Sequence, residues 1–173
     1  MITIHKAVRI AFETSDPGLW QSIVINRRRP HTWRAFLQHG DSRICLHRFT
    51  PCDAAESFAH PHPWPSSMLV LAGVYDMNVG LSRDPACDNP APVIQVTLNA
   101  GSVYHMTERL TWHQVVPRTE CFSLMVNGPR WSDAHHRAPA TGGKGLQSMT
   151  AAALTEHLAW CRKLLEPFLN GKV

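Results

Sequence analysis

The sequence predicts a mainly β, single-domain protein that forms a small β-barrel or sandwich and ends in one α-helix. From residue 41 onward, the chain consists of short segments that either alternate with a period of two or are apolar throughout. Gly, Pro and Asn separate these segments about every ten residues. This spacing is typical of antiparallel sandwiches and barrels, because parallel strands need longer crossover connections. A length of 173 residues suits one domain with a sizeable core.

Turn residues bound each predicted strand of the barrel. The segment 44–49 alternates, 68–72 is wholly apolar and ends at Gly73, and 74–79 continues beyond that glycine. A loop over 80–92 contains Asp84-Pro85 and Asn89-Pro90, two dipeptides that interrupt strands. Further strands are predicted at 93–98, 102–106, 112–116 and 121–126.

The chain divides into four parts. Residues 41–131 are the predicted barrel core, and residues 1–40 are an N-terminal extension that packs on it. Within that extension, Asp16 and Pro17 predict a turn or a helix start, and 19–25 fits either a short helix or a strand. Residues 132–147, which are polar and Gly-rich, are a predicted loop or linker, and residues 148–170 are the C-terminal helix.

The C-terminal helix is predicted to begin near Ser148 or Thr150 and to end near Pro167. One face carries apolar residues at helical spacing, and this stripe is covered either by the barrel or by a second copy of the chain. A homodimer is therefore one expected assembly. The stripe consists of Leu154, Leu158, Cys161, Leu165 and Phe168.

Composition argues against several classes of protein. Hydrophobic residues make up 44% and charged residues 17%, no apolar run has the length of a membrane span, and residues 1–10 lack the apolar segment of a secretory signal. Five scattered cysteines without a C-x-x-C pair indicate reduced thiols. We therefore expect a cytoplasmic protein with no membrane association.

The net charge of +4 is mildly basic, and the basic residues are densest at Arg27-Arg28-Arg29, together with His31 and Arg34. No nucleic-acid recognition motif accompanies this cluster, so we expect a solvated turn there rather than a patch that binds anions or nucleic acid.

His60 and His62 point most directly to chemistry. Residues two apart in a strand face the same side, and each of these histidines precedes a proline, which favours extended backbone. His113 lies in a separate strand-like run, and three neutral imidazoles suit Fe²⁺, Zn²⁺, Ni²⁺ or Cu²⁺. We predict one divalent transition metal held by these three residues, with His105 as a candidate additional ligand.

The prolines around the histidine pair predict where the pair lies. Pro61, Pro63 and Pro65 share one parity and lack an amide hydrogen, so the stretch can form a full ladder with only one neighbour. The rim or mouth of the barrel is therefore expected. A polyproline conformation is the alternative, and it would splay His60 and His62 apart.

These residues resemble the first motif of the cupin superfamily, G-x5-H-x-H-x3/4-E-x6-G. His60, His62 and Gly73 fall at its spacing, whereas Ser66 occupies the Glu position and Ala54 the leading Gly.

The second cupin motif, G-x5-P-x-G-x2-H-x3-N, is degenerate in this chain. Gly101 matches, His113 comes one residue late, and the internal Pro and Gly are absent. The runs at 60–64 (HPHPW), 71–75 (LAGVY) and 126–130 (VNGPR) are similar to those of a group of uncharacterised bacterial cupins with an H-x-H-P-W stretch. The resemblance covers about residues 41–131.

The resemblance implies a double-stranded β-helix, or jelly roll, with a metal in the barrel mouth. Ligation by histidine alone is similar to the three-His iron site of thiol dioxygenases, which favours Fe²⁺ and a non-haem iron dioxygenase-like reaction on a small organic acid or thiol. A cupin that only binds or senses a small molecule fits the lost glutamate as well. No residue is assigned as a catalytic acid or base.

Three residues are candidates for substrate binding. Trp64 and Tyr75 either wall the cavity or fill the core. Arg48 lies on a strand expected to neighbour the site, where it would pair with a carboxylate if it faces inward.

Overall fold

The computed structural model describes residues 1–26, 28–82, 84, 87, 90–132 and 146–170. These residues form two antiparallel sheets and two α-helices, which confirms the mainly β prediction with a C-terminal helix. The helices are α1 (Ile4–Glu13) and α2 (Ala151–Leu165), and short 3₁₀ turns lie at Pro17–Leu19 and Glu166–Phe168. The strands are β1 (Gln21–Ile25), β2 (Thr32–His39), β3 (Ser42–Phe49), β4 (His60–Pro61), β5 (Ser66–Ala72), β6 (Val74–Leu81), β7 (Pro92–Asn99), β8 (Val103–Met106), β9 (Thr111–Pro117), β10 (Cys121–Asn127) and β11 (Leu146–Gln147).

The strands divide into a seven-stranded sheet, in the order β11-β1-β2-β3-β10-β5-β8, and a four-stranded sheet, in the order β4-β9-β6-β7. Side chains of the two sheets meet in an apolar cluster that includes Val70, Tyr75, Val115 and Cys121. Two antiparallel sheets packed face to face agree with the predicted jelly roll.

The two helices cover the outer face of the seven-stranded sheet. Every second residue of β3, β5 and β10 faces them, and these residues form the largest apolar cluster together with α1 and α2. The predicted stripe of α2 is buried in this cluster, which confirms that the chain itself covers it. Thr150 caps the helix, since its side chain accepts a hydrogen bond of 3.2 Å from the Ala153 amide.

Residues 1–40 contribute more regular structure than the sequence predicted. Helix α1 was not expected, although Ile4, Ala7, Val8 and Ala11 recur at helical spacing and are buried. Segment 21–25 is a strand, and β2 pairs with β3 along its whole length. The seven-stranded sheet therefore begins well before residue 41.

Some of the sequence predictions lie outside the described residues. Arg27 of the basic cluster, part of the loop over 80–92 and residues 133–145 of the predicted linker belong here. Where the structure describes the chain, it contains no helix that is long and apolar enough to cross a membrane. All five cysteines are free.

Candidate metal centre

The short strand β4 brings two distant histidines together. His60 is the direct cross-strand partner of His113 on β9, and Pro61 pairs with Trp112. Strand β4 is an edge strand with β9 as its single neighbour in the sheet, as the missing amide hydrogens of the prolines predicted. Register, rather than sequence separation, thus sets the distance between these two rings.

Three ring nitrogens converge at this edge. His113 Nε2 lies 3.0 Å from His62 Nε2 and 3.1 Å from His60 Nε2. Nitrogens bound to one metal at about 2.0–2.1 Å stand about 2.9 Å apart at right angles and about 3.3 Å apart in a tetrahedron. Both distances lie between these values, so His113 is spaced from each of the other two rings as ligands of a single ion are, and all three ligand atoms lie within 4.8 Å of one another.

Hydrogen bonding explains the same contacts less well. A proton on His113 Nε2 can be directed at only one of the two neighbouring nitrogens, whereas a cation accepts the lone pairs of all three rings. His113 Nδ1 is buried and has no hydrogen-bond partner among the described residues, so no second bond compensates a poorly satisfied Nε2. The donor set therefore fits a metal ion.

A buried polar chain orients His62. Its Nδ1 lies 2.9 Å from Ser66 Oγ, and the Ser66 hydroxyl donates to Asn127 Oδ1 at 3.0 Å. Because the hydroxyl proton is directed at Asn127, His62 Nδ1 is the donor and His62 Nε2 keeps its lone pair. Ser66 and Asn127 are 0% and 3% exposed. This network fixes the tautomer that a metal requires.

Burial keeps His113 neutral. The pKa of its imidazole lies well below the ordinary value, first because of burial and then because positive charge on His60, His62 or His47 would repel its own. A neutral imidazole is the form that binds a metal. Within the described part of the chain, His60, His62 and His113 are the group of metal-ligating side chains that converges in this way.

The structure does not bring His105 to the other three histidines. On β8, Met106 is buried, whereas the residue before it, His105, is exposed. His105 Nδ1 lies 2.7 Å from Ser67 Oγ. Ser67 belongs to the outer set of β5 residues, opposite to Ser66. The candidate additional ligand is thus corrected, because the pleat points it away from the site.

The three predicted substrate-binding residues have different surroundings. Tyr75 lies in the core between the sheets, and its hydroxyl donates to the Tyr104 hydroxyl at 3.2 Å. Trp64 follows His62 by two residues, and its buried indole nitrogen has no hydrogen-bond partner among the described residues. Of the two aromatic residues, Trp64 is thus the one that lies close to the histidine pair in the sequence.

Arg48 is on the wrong face of its strand for the predicted role. Leu46, two residues earlier, packs under the helices, and Arg48 shares its parity. The Arg48 guanidinium contacts Glu120 Oε1 at 2.6 Å and lies over the Trp33 ring at 5.1 Å.

His47, the residue before Arg48, faces the barrel interior instead, where its Nε2 accepts a 2.7 Å hydrogen bond from Arg34 Nε. Arg34, which the sequence analysis included in the basic cluster and not in the site, thus lies on the interior side.

The comparisons with known proteins give structural similarity alone. No protein-family model and no curated protein matches the chain. The hydroxypropylphosphonic acid epoxidase from S. wedmorenis is 15% identical over 62% of this chain and 55% of its own, with a TM-score of 0.48. A structure of Fe(II)-HppE with an alternative substrate is 14% identical over 56% of this chain and 49% of its own, with a TM-score of 0.45. An RmlC-like cupin from Shewanella frigidimarina is 15% identical over 59% of this chain and 79% of its own, with a TM-score of 0.44.

The match spans about half the length of the epoxidase chains. These three matches have identities of at most 15% and TM-scores of at most 0.48, so the function of this protein has to be inferred from its own residues.

Proposed function

We propose that this protein is a metal-binding cupin that holds one divalent transition metal, with Fe²⁺ favoured, through His60, His62 and His113. It would act as a non-haem iron dioxygenase-like enzyme on a small organic acid or thiol. The observation that carries the proposal is the convergence of three Nε2 atoms, with His113 Nε2 at 3.0 and 3.1 Å from the other two.

The residues around the histidines have distinct roles in this proposal. Ser66 and Asn127 hold His62 in the ligating tautomer, and burial keeps His113 uncharged. A bound iron(II) would supply Lewis acidity and redox chemistry with O₂. Three protein ligands leave positions for small molecules, which is the pattern of reactive rather than structural metal sites.

A binding or sensor protein is the second candidate. Ser66 stands where the cupin motif has its carboxylate ligand, and its hydroxyl serves the positioning of His62 instead. Loss of that carboxylate is compatible with a barrel that retains a metal or a metabolite without turnover. In this case the same three histidines bind, and no bond of the ligand changes.

Metal analysis tests the site. We expect untagged protein to bind one equivalent of Fe²⁺, Co²⁺ or Zn²⁺ after dialysis, and His62→Ala and His113→Ala to lose it. His105→Ala is the matched control, since it removes an imidazole from the outer face. Metal content that is insensitive to His62→Ala and His113→Ala, or that falls equally in His105→Ala, would contradict the proposed site.

Oxygen uptake separates the two candidates. Fe²⁺-loaded protein is mixed anaerobically with a panel of small thiols and carboxylic acids and then exposed to oxygen at an electrode. Uptake that depends on both the added compound and His113 supports the enzyme. Retention of a compound without uptake supports the binding protein.

A further inference from the structure

Arg34 places a positive charge on the interior side of the barrel. On β2 its neighbours Ala35 and Leu37 pack towards the helices, so Arg34 and Phe36 face the opposite sheet. Arg34 Nε donates a 2.7 Å hydrogen bond to His47 Nε2 on β3. His47 Nδ1 in turn lies 3.3 Å from Ser123 Oγ on β10, and both of these residues are at most 2% exposed. The guanidinium is therefore held on a rigid, buried support.

Within the described residues, no carboxylate pairs with this charge. Arg34 has no ion pair there, and no carboxylate acts on its pKa, whereas the guanidinium of Arg43 does. The pKa of Arg34 is lowered, mainly by burial, with Cys45 acting to raise it and Arg43 to lower it. An arginine nevertheless stays protonated in proteins. A half-buried cation beside a like charge is costly unless an anion reaches it.

The side chain also has unused donors. Its Nε is committed to His47, and neither terminal nitrogen has a hydrogen-bond partner within the described residues. A guanidinium presents its donors as a planar fork that matches the two oxygens of a carboxylate. Because His47 fixes the Nε side, the orientation of this fork is set before any ligand binds.

The support of the fork and the residues that contact His62 lie on the same interior face of the seven-stranded sheet. His47, the acceptor of the Arg34 hydrogen bond, contacts Ser123 on β10, and Asn127, four residues further along the same face of β10, contacts Ser66, the partner of His62. Arg43 is exposed and lies over two aromatic rings, 5.2 Å from the Phe36 centroid and 5.9 Å from the Trp64 centroid. Trp64 belongs to the segment that carries His60 and His62, so Arg43 marks the outer end of the same region.

We infer that Arg34 is the anion-binding residue of this site and that the ligand reaching the three histidines carries a carboxylate, with Arg43 attracting it at the entrance. This inference rests on the proposed metal site and specifies its ligand class. It also replaces Arg48, which the sequence suggested for this role, by an arginine on the opposite side of the sheet.

Matched acid and amide pairs test the inference. Acetate, propionate and benzoate are compared with acetamide, propionamide and benzamide at constant ionic strength. Binding is read from the visible absorption of the Co²⁺-loaded protein and, separately, from thermal stabilisation of the metal-free protein. We expect at least one acid to bind about ten- to a hundredfold more tightly than its amide, the gain typical of a charge-assisted hydrogen bond.

Arg34→Gln should abolish this preference, and Arg34→Lys, which keeps the charge but not the fork, should retain only part of it. Arg48→Gln is the matched control and should keep it in full, because Arg48 faces the helices. Circular dichroism and Co²⁺ stoichiometry verify that each variant is folded and loaded.

The two readouts separate the possible failures. Absence of Co²⁺ binding would overturn the proposed metal site, whereas an Arg34-dependent preference for acids in the metal-free protein would still support the inference. If no acid is preferred over its amide, or if the preference survives in Arg34→Gln, the inference is wrong.

Discussion

His62 Nδ1 lies 2.9 Å from the hydroxyl oxygen of Ser66, the residue at the position where the cupin motif has its glutamate. The side chain at this position therefore contacts a candidate metal ligand. Because Ser66 is fully buried and also bonded to Asn127, it holds the His62 ring in one orientation.

Ser66→Ala should weaken metal binding without abolishing it. Loss of a residue that orients a metal-binding histidine typically costs about 10- to 100-fold in affinity, because the ring is no longer held in the correct tautomer. Competition with a chromogenic chelator measures the change. Ser67→Ala, one residue along the strand and on the outer face, should leave the affinity unaltered. Equal affinities of Ser66→Ala and the wild type would show that the hydrogen bond does not tune the site.

The free energy of unfolding should decrease as the pH falls below about 6.5. Burial lowers the pKa of His47, and the nearby positive charge of Arg34 lowers it further. Burial also lowers the pKa of His157; the Leu46 carbonyl acts to raise this pKa, and Arg48 acts to lower it. Both pKa values are lower in the folded than in the unfolded chain, so the unfolded chain takes up protons first as the pH falls. The contribution of these histidines to the free energy of unfolding is therefore fully present above about pH 6.5 and is lost progressively below it.

Urea titrations at pH 8, 7, 6 and 5 with EDTA present measure this dependence. Each such histidine adds at most about 1.4 kcal/mol per pH unit to the slope. His157→Gln should reduce the slope below pH 6.5. A slope that His157→Gln does not change would mean that His157 titrates alike in the folded and unfolded chains.

Gly73 and Gly101 provide a matched pair of glycines with left-handed backbone. Their φ values are +85° and +87°, but a Cβ on Gly73 would collide with the Glu120 carbonyl oxygen and with Cys121, whereas a Cβ on Gly101 has nothing within 4 Å. Gly101→Ala should cost only the backbone penalty of about 1–2 kcal/mol. Gly73→Ala should cost clearly more, because the β5–β6 turn must move away from β10. Denaturant unfolding of both variants tests this, and equal losses would contradict the predicted collision.

Helix α2 should contribute to the stability of the single chain through its buried stripe. Leu165 is 0% exposed among residues of α1 and the seven-stranded sheet, whereas Trp160 on the same helix is 52% exposed. Leu165→Ala should lower the free energy of unfolding by about 2–5 kcal/mol. Trp160→Ala should change it by less than about 1 kcal/mol, as expected for a surface position. Urea unfolding at two protein concentrations checks both values. If the loss in free energy of unfolding for Leu165→Ala grows with protein concentration, the stripe is covered by a second copy of the chain.

The strands of the barrel were largely predictable, because their alternation and their turns are local properties. Strand β2 was missed: its interior face carries Arg34 beside Phe36, so the apolar period is broken. Helix α1 was missed although its buried positions, Ile4, Ala7, Val8 and Ala11, follow a helical period, so the signal for this helix was present in the sequence.

The sequence by itself determined that α2 buries one face, and it favoured an extended segment with His60 and His62 on one side over a polyproline conformation. Both follow from the periods of strand and helix, which act over a few residues. The tertiary structure decided that His113 stands opposite His60, that His105 points outward, and that Arg34 rather than Arg48 faces the interior. These outcomes depend on strand register and on which face of the sheet the helices cover, and long-range packing sets both.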